Sequence, residues 1–352
     1  MTTLLAEGVD LSKLPTIEEG WMTPVEASTF AGPVDWLFYY IFWMSAVFFV
    51  LIVVLMFYFM WRYRRRTNND PVGQIHHNTP LELAWSVFPG LLLVTMFWWG
   101  FTGFVDMRRV PENPNDVSVQ AAKWNWSFTY PNGLNHPELH CVLNAPTRLV
   151  MTSSDVIHSC FIPAFRIKRD VVPGRYSELW FKPTKVGRTA LLCAEYCGTS
   201  HSDMIAHVEV HATQEEYDEW LEKADPLRGM TDEQYAEYLK DPVKFIDNAP
   251  DELKGRVMPP ADFGRELWAR KGCNQCHSLD GKPGNGPTWK GLWGSQRNFT
   301  DGSSTTADEN YVLESIRNPG KKLVQGYGPV MPTLNVSDRE IDCLIAFIKT
   351  LK

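Results

Sequence analysis

The sequence predicts a multidomain chain: a transmembrane α-helical hairpin, then an all-β sandwich or barrel, then an all-α C-terminal domain. Three observations predict it. Two uncharged runs, residues 36–61 and 83–105, lie on either side of an arginine cluster. Beyond Met107 the texture changes to short β-rich runs separated by Pro, Gly and Asn. From about residue 259 a helical pattern leads directly into Cys273-Asn274-Gln275-Cys276-His277. The 352 residues exceed one ordinary domain. A net charge of −7 argues against a nucleic-acid partner and fits an acidic outer face able to attract a basic protein.

Each uncharged run is long enough for the ~20 residues of a membrane helix. Arg62, Arg64, Arg65 and Arg66 follow the first run, so the positive-inside rule puts the connecting loop in the cytoplasm and both termini outside. Hairpin and tail together make up residues 1–107. The tail, residues 1–35, has no basic stretch leading into a short apolar core, so no cleavable signal peptide is expected there. With no Cys before Cys141, no lipid-modified N-terminal cysteine is expected either. A single signal-anchor ahead of a globular domain is the alternative, but two closely spaced runs favour a hairpin. Glu82 stands where the second run enters the membrane from the cytoplasmic side. A carboxylate at that depth is costly unless used or paired. An acidic residue in a helix's first turn also favours the helix dipole, and chemistry alone leaves the two readings even.

Residues 108–211 read as an all-β domain, with strands at 117–120, 148–152, 156–162, 176–181 and 189–192 and an aromatic run at 123–130. Its last strands enclose the segment 193–204. Cys197, His201 and Met204 have the spacing of a blue-copper loop, and sulfur with imidazole is the ligand set copper prefers. His158 supplies the upstream imidazole. Cys193 adds a second thiolate, so two sulfurs can bridge two metal ions that share one electron and leave no open position for substrate. A Cys193–Cys197 disulfide would leave His158, His201 and Met204 unexplained. A zinc-binding helix face is opposed by Gly198 and Thr199-Ser200. Seven cysteines cannot form a complete disulfide set, and Cys141, Cys160 and Cys343 read as structural. His136, His140, His207 and His211 have no partner at ligand spacing and read as surface or hydrogen-bonded histidines.

This loop, with Asp155-Val156-Ile157-His158-Ser159 and Pro163-Ala164-Phe165-Arg166-Ile167-Lys168 upstream, resembles the CuA domain of cytochrome c oxidase subunit II. The resemblance covers nearly the whole chain. It implies a cupredoxin Greek-key barrel with a binuclear CuA centre, two copper ions held by His158, Cys193, the Glu195 carbonyl, Cys197, His201 and Met204. It implies that the Glu195 carboxylate reaches a Mg²⁺ at the boundary with subunit I, near Lys168 and Asp170. It makes Trp124 the surface ring through which electrons reach copper. It also makes Glu82, in Glu82-Leu83-Ala84-Trp85 followed by Pro89, the mouth of a proton path. Cys160 departs from the family, which usually carries a large apolar residue there.

Residues 212–258 read as an acidic, semi-rigid linker with helical patches at 215–223 and 232–239, broken by Asp225-Pro226 and Asp241-Pro242. The last domain, 259–352, opens with a helix over 263–271. Cys-x-x-Cys-His is the haem c attachment pattern: two thiols add across the haem vinyl groups and His277 becomes an axial iron ligand. Zinc would need a second ligand pair. Met/His ligation suits electron transfer, and resemblance to the family's Met-Pro segment makes Met331 the sixth ligand. Asn285-Gly286-Pro287 matches the turn whose proline carbonyl, here Pro287, accepts the His277 N–H. Ser337-Asp338-Arg339-Glu340 is a capping box that starts a closing helix through residue 351.

The resemblance as a whole implies subunit II of an oxygen-reducing haem–copper oxidase with a fused cytochrome c domain. The expected location is the bacterial cytoplasmic membrane, two-pass, with the N-terminus and both cofactor domains on the periplasmic side. Expected partners are subunit I, other oxidase subunits, membrane lipid and an upstream donor, either a cytochrome c or a respiratory complex. Two other classes compete. Nitrous oxide reductase has a similar copper loop but is soluble and lacks the hairpin. A membrane-anchored binding protein stapled by disulfides would be colourless.

Overall fold

The computed structural model describes residue 16 and residues 23–64 and 77–352; Arg65 and Arg66 of the basic cluster lie outside them. The described residues divide into two units, Thr29–Val110 and the rest. In the first, helices α1 (Ala31–Arg62) and α2 (Thr79–Arg108) contain the two uncharged runs. Both are long and apolar enough to cross a membrane, with none of the apolar window buried. Their large side chains, such as Trp43, Phe49, Phe57, Leu93 and Phe97, are exposed and would meet lipid or protein. Where the helices touch, Tyr40 and Thr95 share a 2.9 Å hydrogen bond and Trp36 meets Trp99 edge-on at 4.3 Å. The start of α2 is fully capped. Asn78 Oδ1 accepts from the Leu81 N–H, and Glu82 reaches back to the Asn78 N–H at 3.2 Å and to His77 Nδ1 at 2.9 Å.

The second unit begins with a β domain of two five-stranded sheets. Its strands are β1 (Asn115–Ala122), β2 (Asn125–Thr129), β3 (Asn135–His136), β4 (Leu139–Val142), β5 (Thr147–Ser153), β6 (His158–Ile162), β7 (Ile167–Val171), β8 (Ser177–Phe181), β9 (Gly187–Cys193) and β10 (Ile205–His211). One sheet has the order β3-β2-β1-β5-β8, the other β4-β10-β9-β6-β7. The β1–β5 and β4–β10 pairs are parallel, the others antiparallel. Neighbours so distant in sequence are what Greek-key connections produce. The period of two is visible in the burial: β1 buries Val117, Val119 and Ala121, β2 buries Trp126 and Phe128, and β5 buries Leu149 and Met151. Cys160, on β6, is fully buried, and burial pushes its thiol up to about 12, so it is a small neutral core residue.

Residues 212–258, expected as a linker, form three packed helices. Helix α3 (Gln214–Lys223) lies on the β domain, with Trp220 stacked flat on His140 at 3.6 Å. Helices α4 (Asp232–Lys240) and α5 (Pro242–Asp247) instead join the core of the C-terminal domain through Tyr235, Tyr238 and Phe245. Asp241-Pro242 is a helix start rather than a plain break. Asp241 caps the Lys244 N–H at 3.1 Å, and Pro242 takes the first helical position, where it needs no donor.

The C-terminal domain packs α6 (Pro260–Arg270), α7 (Glu309–Arg317) and α8 (Asp338–Thr350) around Phe263, Leu267, Ile341, Leu344 and Ile348. The capping box at Ser337–Glu340 is formed. A short hairpin, β11 (Gln296–Asn298) with β12 (Ser304–Thr306), was not expected in a helical domain. α6 crosses α8 at Gly264, where an added Cβ would stand 2.0 Å from the Cys343 carbonyl oxygen. The two domains of this unit are tied together at Lys271. Its ammonium, in a residue only 5% exposed, donates to Asn135 Oδ1 (3.1 Å) and Asn335 O (2.9 Å) and pairs with Glu340 (2.9 Å).

Candidate functional site

The first site forms where β6, β9 and the 193–204 loop meet. β9 delivers Cys193, β6 delivers His158, and register sets Cys160 opposite Cys193. The loop then leaves the sheet, turns at Gly198 with φ +124°, and makes one helical turn at His201–Asp203 before β10. Cys193 Sγ lies 3.8 Å from Cys197 Sγ, 3.9 Å from His158 Nδ1 and 3.3 Å from the Glu195 carbonyl. Cys197 Sγ lies 3.4 Å from His201 Nδ1 and 3.9 Å from Met204 Sδ. All six expected donors therefore converge on one small volume. Both sulfurs are free thiols, as are all seven cysteines.

Asp155, which sequence reasoning gave no role, orients the site. Its carboxylate takes the His158 Nε2–H at 2.9 Å, which leaves Nδ1 facing the sulfurs, and it also accepts from the Lys123 N–H. The readable signal was its place three residues before a ligand. Burial works against a Cys193 thiolate, but the His158 contact and nearby backbone groups outweigh it and bring the thiol down to about 6. Burial, and then the charge on Cys193, push Cys197 up to about 12. One ready thiolate with soft and imidazole neighbours is a donor set that fits copper. His158, Cys197 and Met204 are buried, whereas the Glu195 side chain is exposed. Lys168 and Asp170 face each other at 4.0 Å, with Ser159 Oγ donating to Asp170.

Trp124 is not the surface ring it was expected to be: it is 5% exposed. Its indole lies against Gly198, where a Cβ would be 3.1 Å from the ring. Its neighbours Lys123 and Asn125 line a cavity together with Gly272, Cys273 and Cys276. A free β domain would leave this edge open; here the C-terminal domain sits on it.

That cavity is the second site. Cys273, Cys276, His277 and Met331 line it, with Trp289, Ile316, Leu334 and Leu344 as apolar walls. His277 Nδ1–H donates to the Pro287 carbonyl at 2.7 Å, so Nε2 keeps its lone pair for a ligand, and burial holds the imidazole neutral by lowering its pKa. A Cβ on Gly286 would lie 2.7 Å from this imidazole, so only glycine lets the turn approach it. Two thiols, a free imidazole nitrogen and a thioether around an apolar slot fit a covalently held haem. Glu82 lies in the other unit and is described above at the start of α2.

Comparison with known proteins agrees with this division. Residues 18–102 match the family model for cytochrome C oxidase subunit II, transmembrane domain, and residues 135–211 match the model for its periplasmic domain. Residues 261–352 match cytochrome c. The chain is 30% identical over 305 residues to the cytochrome c oxidase subunit 2 of Synechocystis sp., covering 69% of this chain and 91% of that protein. It is 31% identical over 238 residues to the subunit 2 of Cereibacter sphaeroides, covering 56% and 78%. With that of Alkalihalophilus pseudofirmus it shares 30% over 303 residues, covering 83% and 79%.

Proposed function

The chain belongs to the cytochrome c oxidase subunit II family, with a cytochrome c domain at its C-terminal end, and from that premise we propose the following division of labour. Electrons are accepted at a covalently bound haem c, passed to a binuclear CuA centre, and handed to subunit I for reduction of oxygen to water coupled to proton translocation. His158, Cys193, the Glu195 carbonyl, Cys197, His201 and Met204 hold two copper ions. Cys273 and Cys276 bind the haem through thioethers, with His277 and Met331 on the iron and Pro287 fixing His277. Bound in these places, both groups supply reversible one-electron chemistry. The exposed Glu195 carboxylate is assigned to a Mg²⁺ shared with subunit I. The Arg62 side of the hairpin faces the cytoplasm and both cofactor domains face the periplasm, where a cytochrome c or a respiratory complex delivers electrons.

One observation carries this reading. Gly272, just before Cys273, packs on Asn125, within 2.8 Å of where its Cβ would be. Asn125 follows Trp124, and Trp124 lies on Gly198, next to Cys197. An unbroken line of protein contacts thus joins the two donor sets. Trp124 is kept as the ring next to the copper loop, but reached from within the chain.

Because this docking is intramolecular, flash reduction of the haem should be followed by copper reduction at a rate insensitive to salt. A change of less than about twofold is expected between ~10 mM and ~1 M salt, where the Debye length falls from ~30 to ~3 Å. Lys271→Met, which removes the tie to Asn135, should slow the step and make it salt-sensitive. A wild-type rate that drops steeply with salt would show that the domain leaves and redocks, and the contact line would lose its role.

Glu82 has two possible roles, cap and proton-path mouth, and Glu82→Gln separates them. Glutamine keeps an oxygen for the Asn78 N–H but loses the charge. The expected result is slower oxygen reduction with unchanged copper reduction by the haem domain. Normal turnover in an assembled complex would leave Glu82 as a cap alone.

A further inference from the structure

Four of the nine histidines gather where β3 of the first sheet meets the β4–β10 edge of the second, with β4 three strands from His158. His136 ends β3, His140 lies on β4, and the parallel β4–β10 pairing sets His140 opposite Glu209. His140 Nδ1 is 2.9 Å from His211 Nε2, and the two rings are nearly parallel. The His136 ring stands perpendicular to His140 at 5.1 Å. The exposure of His140 is 1% and that of His136 7%.

Proton placement in this stack leaves a gap. His140 spends Nδ1 on His211, and its Nε2 is buried with no hydrogen-bond partner among the described residues. An orphaned imidazole nitrogen in a dry site is unfavourable. The Nδ1 of His136 lies 3.3 Å from the backbone carbonyl of Glu138 and 3.2 Å from its backbone N–H, and only the tautomer that donates to the carbonyl leaves Nε2 with a lone pair for a metal. A nitrogen of His136, a nitrogen of His140 and a carboxylate oxygen of Glu138 all lie within 4.8 Å of one another. Arg188 binds Oε1 of Glu138 at 2.7 Å and also pairs with Glu209 at 3.1 Å. Burial pushes the Glu209 carboxyl up to about 8, so Glu138 is the carboxylate that meets Arg188 ionised at neutral pH, and its Oε2 makes no hydrogen bond among the described residues. The Glu138 side chain is 20% exposed and the neighbouring His207 38%, so this side opens to solvent.

We propose that His136, Glu138 and His140 form a zinc site on the periplasmic domain, separate from the copper loop, with its fourth position open to water beside His207. Two imidazoles and a carboxylate without sulfur are a zinc set rather than a site for soft Cu(I). The ion clamps the two-residue β3–β4 connection. Through the Trp220 ring stacked on His140 it also fixes α3, the first helix leading to the cytochrome domain.

The test uses the purified oxidase complex with copper and haem in place, stripped by a mild chelator and titrated with Zn²⁺ alone. Metal content and zinc X-ray absorption are read for wild type, His136→Gln and Glu138→Gln; His140 is left untouched because it supports Trp220. Wild type should bind one zinc per chain more than either variant, with only nitrogen and oxygen neighbours. The variants should bind that ion at least about 100-fold more weakly, with haem and copper spectra unchanged. Equal zinc in all three proteins would overturn the site and return the cluster to a hydrogen-bonded stack. A zinc with sulfur neighbours would also overturn it, since that ion would lie in the copper loop.

Discussion

Cys193→Ser is expected to abolish the delocalised two-copper spectrum and with it electron flow to oxygen. The two sulfurs stand 3.8 Å apart, each with its own imidazole, His158 beside Cys193 and His201 beside Cys197. Cys193 is also the thiol that ionises most readily. A serine oxygen is harder, shorter in reach and not ionised at neutral pH, so one bridge and the better donor are lost together. Changes to groups that merely support a ligand weaken metal binding 10–100-fold, so losing a bridging ligand should cost at least ~100-fold in affinity and in turnover. Copper content, near-infrared absorption and electron paramagnetic resonance of the purified variant measure this. Two coppers with the delocalised signal intact would sink the ligand assignment.

Gly264→Ala is expected to damage the cytochrome domain about as severely as any single methyl group can. The added Cβ would meet the Cys343 carbonyl oxygen at 2.0 Å, its carbon at 2.6 Å and Phe347 Cβ at 2.8 Å. Two of these atoms are helix backbone and cannot swing aside, so α6 must move off α8. Overpacking usually costs ~1–3 kcal/mol, and a backbone clash belongs at or above the top of that range. For a domain of this size ~3 kcal/mol lowers the melting temperature by more than ~10 °C. The haem segment begins three residues after α6 ends, so covalent haem content should fall as well. Gly320→Ala is the control: nothing lies within 4 Å of its Cβ position, and it should change neither quantity. A Gly264→Ala chain that melts like the control would mean that the two helices have room the structure does not contain.

The two donor clusters were legible because each is largely local in the chain. Five of the six donors proposed for copper fall within twelve residues, and the two thiols and the imidazole proposed for the haem within five. Several strands were legible as short β-rich runs between Pro, Gly and Asn, and α8 from its capping box and apolar spacing. What stayed hidden depends on distant partners. His140 and His211 meet only through the β4–β10 pairing, whereas the His136, Glu138, His140 spacing of two was in the sequence and carried no assignment there. Trp124 was expected at the surface on the resemblance alone, and it is buried. The segment 212–258 read as an acidic, semi-rigid linker whose helical patches correspond to α3 and α4, but the sequence did not say which domain each would pack on. Its Tyr217, Trp220, Tyr235, Tyr238 and Phe245 were the sign that it packs. For Glu82 chemistry alone was even and the resemblance assigned the proton-path mouth; the structure adds a concrete cap beside that assignment.

The closure of the C-terminal domain over Asn125 has a consequence for how the chain is made. Cys273 is 9% exposed, and its slot is walled on one side by Lys123 and Asn125 of the β domain. A maturation enzyme must bring a rigid macrocycle to both thiols and hold it while two thioether bonds form. With the domains closed, neither the enzyme nor the macrocycle has an approach from that side. On the function proposed above, haem attachment is therefore expected before the two domains close over the slot.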